Sequence, residues 1–125
     1  MTTLLVLYRT PEGGAEALAT FENRYRDEHM PLVAQTAGLR ATRVWRVKQA
    51  LGAETDLAIA ATLDFDDRPA MDEALRSEPM RAASKVLREI APGLATMLVL
   101  ETVPEMEAAG SPDVDTVPRT VEERS

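Results

Sequence analysis

Residues 39–65 read LRATRVWRVKQALGAETDLAIAATLDF, and the fold turns on them. Val44, Trp45 and Val47 are β-formers with charged residues among them, which predicts a strand over Leu39–Gln49. Gly52 to Glu54 supplies a turn. Leu57, Ile59, Ala61, Leu63 and Phe65 then fall on one face of a further strand, with Asp56, Ala58, Ala60, Thr62 and Asp64 on the other. That second face is small rather than strongly polar, so packing is expected on it as well. Two strands therefore follow one another directly, with no helix between them.

Working outward, Thr3 to Arg9 is a short apolar run closed by Pro11 and Gly13-Gly14, a first strand whose length suits burial on both faces. From Ala15 to about Glu28, Leu18, Phe21, Tyr25, His29 and Leu32 recur every three or four residues, the spacing of an amphipathic helix. Pro31 disfavours helix at the residue before it, so this helix is predicted to end between Glu28 and Met30. Ala37-Gly38 turns the chain into the second strand. After Phe65, Asp66 or Asp67 caps a helix over Arg68–Arg76, with Pro69 in its first turn. Ser77 caps another from Glu78, with Met80, Ala83, Val86, Leu87 and Ile90 as its apolar stripe. Pro92-Gly93 stops it, and Leu94 to Val103 forms the last strand.

The order is β-α-β-β-α-β, an α+β ferredoxin-like arrangement with a four-stranded antiparallel sheet. Its helices cover one face of that sheet. The other carries Ala, Val, Thr and Trp45, too apolar to leave in water, which predicts a homodimer of two-fold symmetry. Residues 1–103 are read as the folded domain. Residues 104–125, with Pro104, Gly110, Pro112 and Pro118 and six acids against two bases, are read as an acidic tail or arm. If the arm is exchanged between subunits, Val114, Val117 and Val121 are its expected anchors.

Composition narrows the function classes. The chain has 125 residues, 45% of them hydrophobic, no cysteine and a single histidine, His29. Thiolate chemistry and two-histidine zinc motifs within one chain are excluded, and there is no Asp-x-Asp-x-Asp-Gly loop. A net charge of −7 argues against a general nucleic-acid binder. No apolar run approaches the roughly 20 residues of a membrane span, and the first residues lack the pattern of a signal peptide. A cytoplasmic location is expected. Gly13-Gly14 lacks the Lys-Ser/Thr of a phosphate loop, nothing points to a nicotinamide or flavin site, and no cofactor or metal is expected.

Leu7-Tyr8-Arg9 with Pro11, then Phe21, then Tyr25-x-x-x-His29-x-Pro31-Leu32, then Gly38-Leu39 together resemble the EthD-like family of dimeric α+β barrel proteins. The match covers residues 4 to 45 and rests on element order beyond Leu57. Leu87-Arg88-Glu89-Ile90-Ala91-Pro92 departs from the acidic residue and phenylalanine that the family often carries late in its second helix. The resemblance implies a small dimer that binds or acts on a small organic molecule of aromatic or lactone-like type, with a cofactor-independent isomerase or lyase as the leading expectation. A cofactor-free monooxygenase and a non-enzymatic binding or accessory protein are the alternatives.

His29 titrates near neutral pH when unperturbed and could shuttle a proton from a carbon next to a carbonyl. It could equally cap the helix C-terminus. Tyr25, four residues earlier on the same face, could orient the imidazole or simply pack in the core. These two are the catalytic candidates. Tyr8, Arg9, Arg43 and Trp45 are the candidates for substrate binding: a pocket hydroxyl, two guanidinium groups for a carboxylate or enolate, and an aromatic wall. A charged strand edge explains Arg40, Arg43, Arg46 and Lys48 as readily.

Overall fold

The computed structural model describes residues 1–107. Strand β1 (Thr2–Arg9) leads into helix α1 (Gly14–Arg24), a π-helical turn (Tyr25–His29) and helix α2 (Met30–Ala34). Strands β2 (Ala41–Arg46) and β3 (Leu57–Phe65) follow, then helices α3 (Arg68–Leu75) and α4 (Glu78–Ile90) and strand β4 (Ala95–Glu101). The sheet is antiparallel throughout, in the order β2-β3-β1-β4. This is the predicted α+β ferredoxin-like architecture. The first and last strands to be made are neighbours, and β1 lies at the centre.

Local signals explain the helix boundaries. Asp67 accepts a hydrogen bond from the Ala70 N–H at 2.9 Å and Ser77 from that of Met80 at 3.4 Å, each cap contributing about 1 kcal/mol. Pro69 and Pro79 sit in the first turns, where a missing N–H costs nothing. Gly13 starts α1 at φ +112°, and a Cβ there would stand 2.8 Å from the Ala17 Cβ, so only glycine fits.

One boundary corrects the sequence reading. Pro31 was expected to stop the first helix, but the helical run continues through it to Ala34. Proline lacks an N–H, and in a regular helix its ring would meet the carbonyl four residues back. Here the chain widens first: the Met30 N–H reaches five residues back to the Tyr25 carbonyl. The wide turn makes room, and Pro31 becomes a first-turn proline of α2.

The core lies between the helices and one sheet face. Leu4, Val6 and Tyr8 of β1 and Ile59, Ala61, Leu63 and Phe65 of β3 alternate toward it and are buried. Phe21, Val33, Met71, Met80 and Ala83 close it from the helices. On the opposite face, pairing aligns Trp45, Ala60, Leu7 and Thr96 in one row and Arg43, Thr62, Leu5 and Leu98 in the next. Within one chain that face stays open, so β1 is buried on one side rather than the two expected. Past β4, Pro104–Met106 makes one exposed 3-10 turn. The rest of the proposed arm, with Val114, Val117 and Val121, lies outside the described residues.

Candidate functional site

The π turn decides where the chemistry sits. It delivers Tyr25 and His29 from one stretch of helix into the same cavity, about 220 Å³, beneath α4 and against β1 and β4. Tyr8 enters from the sheet, and Met30, Met80 and Leu87 add apolar walls. The Tyr25 ring stacks on the His29 imidazole with centroids 4.8 Å apart and planes inclined by 28°. Tyr8 meets Tyr25 edge to face at 5.2 Å, and Phe21 backs both phenols at 5.6 Å. The three candidate residues Tyr8, Tyr25 and His29 thus form one contiguous stack.

His29 is buried, and its Nδ1 lies 3.0 Å from the Ala83 carbonyl oxygen in the middle of α4. A carbonyl can only accept, so Nδ1 carries the proton and donates it. Nε2 is then the ring nitrogen with a free lone pair. Burial pulls the imidazole below its ordinary pKa, opposed in part by the Ala83 bond, so the neutral base is the form present at pH 7. His29 is not at a helix C-terminus and caps no helix end there, contrary to the second role considered for it.

The two phenols are held protonated. Burial raises Tyr8 far above its ordinary value, with the neighbouring Tyr25 adding to the rise. Burial raises Tyr25 as well, against a lowering contribution from the Tyr8 hydroxyl. Both are hydroxyl donors at any ordinary pH.

The remaining binding candidates stand apart from this stack. The Arg9 guanidinium donates to the Gly93 carbonyl at the end of the sheet. Arg43 lies on the open sheet face with its guanidinium 4.8 Å from the centre of the Trp45 ring, a cation–π contact. Trp45 itself is 40% exposed there. Neighbours along one strand alternate sides, which parts Arg43 and Trp45 from the His29 cavity, although Trp45 also borders a second hollow.

A second hollow of about 330 Å³ lies between α1 and β2, lined by Phe21, Tyr25, Met30, Val44 and Ile59. The Glu22–Arg46 ion pair at 2.8 Å spans its rim, and its guanidinium holds the Glu22 carboxyl below the usual range. It is larger than the His29 cavity but, unlike that cavity, is lined by no histidine. Among the described residues, no group of three His, Asp or Glu side chains is placed to hold a metal ion. No helix among them is long and apolar enough to cross a membrane.

No family model matches the chain, and no curated protein matches it. Solved structures do. An EthD family protein from Bacillus halodurans C-125 superposes with a TM-score of 0.74 at 26% identity, over 82% of this chain and 99% of that one. A dimeric protein of ferredoxin-like fold from Bacteroides fragilis gives 0.62 at 19% identity, over 81% and 95%. A cofactor-independent oxygenase from Streptomyces nogalater gives 0.60 at 15% identity, over 86% and 95%. The last two show a shared fold alone.

Proposed function

From the premise that this chain is EthD-like and ferredoxin-like in fold, we propose that it is a homodimeric, cofactor-independent isomerase or lyase that moves a proton on a small organic molecule bound beside His29. The observation that carries this is the bond from His29 Nδ1 to the Ala83 carbonyl. It fixes the tautomer and leaves Nε2 as a neutral base on a side chain that lines the cavity.

The steps follow from that arrangement. Nε2 takes a proton from a carbon next to a carbonyl, and the electron pair moves to the carbonyl oxygen. The imidazolium formed keeps its bond to the Ala83 oxygen. A Tyr25 or Tyr8 hydroxyl donates to the oxyanion as charge develops. Returning the proton to a different carbon isomerises the molecule, and expelling a leaving group instead makes the reaction a lyase step. General-base catalysis of this kind contributes about 10²–10⁴-fold.

His29→Gln tests the assignment. Turnover of the true substrate should be lost while the variant stays folded and still binds ligand. Unchanged turnover in a folded variant removes the shuttle and leaves a binding or accessory protein as the better reading. The oxygenase among the structural neighbours supports a second enzyme reading, a cofactor-free monooxygenase acting on an oxidisable phenol. Oxygen consumption during turnover separates it from the isomerase.

A further inference from the structure

Four side chains bring strong hydrogen-bonding atoms to the His29 cavity: Tyr8, Tyr25, His29 and Ser84. None is charged at neutral pH. The phenols are held protonated and the imidazole is held neutral, all chiefly by burial. The remaining lining is aliphatic or thioether. The guanidinium groups named in the sequence as anion receptors are engaged elsewhere: Arg9 at Gly93, Arg43 over Trp45, Arg40 with Asp66 and Arg46 with Glu22. A carboxylate or phosphate entering this cavity would lose its hydration with no cation to replace it. An enolate made inside it is different, because the proton removed stays on the adjacent imidazole and each negative charge arises beside a positive one.

Ser84 sharpens the picture. On α4 the residues that line the cavity are Met80, Ser84 and Leu87, spaced four and three apart, and Ser84 is the one polar member of that stripe. It also follows Ala83, whose carbonyl holds His29. A neutral donor thus stands on the same helix that orients the base. The cavity, at about 220 Å³, falls below the range of roughly 300–1,000 Å³ that suits drug-sized ligands, so its occupant is compact.

We infer, building on the proton-shuttle reading, that the ligand is a compact, uncharged carbonyl compound, with Ser84 as a binding residue for its oxygen. The carbonyl oxygen accepts from the hydroxyls of Ser84 and Tyr25. The acidic C–H faces His29 Nε2.

The test uses the full chain and two probes, 2-tetralone as an uncharged enolisable ketone and 2-naphthoate as an anion of similar size. Binding is read from the NMR shifts of the single histidine. Proton transfer is read from deuterium entering the α-carbons of 2-tetralone in D₂O, above the buffer rate. In that exchange Nε2 removes an α-proton, the electron pair rests in the enolate, and a deuteron from the solvent-exchanged imidazolium returns to carbon. The expected result is saturable binding of 2-tetralone, at least tenfold weaker binding of 2-naphthoate, and binding of the ketone weakened about five- to tenfold by Ser84→Ala, the loss of one hydrogen bond. Equal or tighter binding of 2-naphthoate overturns the inference, as does binding of neither probe. Unchanged ketone affinity in Ser84→Ala overturns the role of Ser84. If the ketone binds as expected but deuteration does not depend on His29, the uncharged-ligand inference stands and the proton-shuttle reading falls.

Discussion

The two faces of the sheet are made by the same strands and have opposite fates. Toward the helices, Leu4, Val6, Tyr8, Ala61 and Phe65 are buried within a single chain. One residue along in each case, Leu5, Leu7, Thr62 and Asp64 face the other way and are left half-buried. Across that second face Trp45, Leu98 and Leu100 are each about two-fifths exposed. Over the central strands β1 and β3 the first face is finished by its own chain, and it holds the cavity lined by His29, while Val44, Met97 and Val99 on its edge strands stay exposed. The second lacks a covering layer within the chain, which is the place the proposed second copy would fill. In the proposed reading, the proton shuttle and the dimer contact lie on opposite sides of one sheet, with only the pleat of the strands between them.

The sharpest way to break the finished face is Phe65→Ala. Phe65 is wholly buried, and its loss should cost about 3–5 kcal/mol in urea unfolding. The open face should answer differently. Leu98→Asp should halve the mass seen by light scattering, from twice 13.7 kDa to 13.7 kDa, while changing the stability of the separated chain by no more than about 1 kcal/mol. A wild-type chain that is monomeric at micromolar concentration would end the proposed division of labour.

Smaller effects sharpen the contrast. His29→Gln should abolish turnover yet cost about 1 kcal/mol or less in a thermal melt, because Gln retains a group able to reach a carbonyl. The same position predicts a pH dependence. Burial places the folded pKa of His29 below the ordinary value of about 6.5, so the unfolded chain binds the proton more readily. The stability linked to His29 is therefore complete above about pH 6.5 and is lost as pH falls through the folded pKa. Melts of wild type and His29→Gln should draw together between pH 7 and 5, and an NMR titration of the single imidazole should place its midpoint below 6.5. A constant gap between the two melting curves would contradict the buried neutral imidazole. The smallest effect belongs to Arg46→Gln at the rim of the second hollow, where the guanidinium stands in solvent, and the variant's thermal melt should overlay that of the wild type.

Elements governed by short-range rules were legible in the sequence. The caps Asp67 and Ser77, the helix-start prolines and the alternation of β3 involve neighbours a few residues apart, and each appears where the spacing places it. The π turn was not, because the rule that a proline ends a helix assumes a regular turn ahead of it, and the chain changes the turn instead. The grouping of Tyr25 with His29 could be read from their spacing of four. The partner of His29 could not, since Ala83 lies 54 residues away and offers a backbone carbonyl that no side-chain pattern announces. Arg43 and Trp45 were drawn toward the site by residue type, while strand parity puts them on the far face. The place of Ser84 rests on its helical spacing from Met80 and Leu87, a polar residue beside the main apolar stripe of α4 rather than within it.

The position of β1 at the centre of the sheet has a consequence for how the chain is made. Leu4 pairs with Leu63 on one side and Val99 on the other. Synthesis at about 5–20 residues per second brings the first partner seconds after Leu4 leaves the ribosome, and the second later still. Through that interval Leu4-Leu5-Val6-Leu7, an uncharged and wholly apolar run, has no partner strand. The wait of β1 for its partners is thus a period of aggregation risk built into the topology, and β1 is the segment a chaperone would be expected to hold.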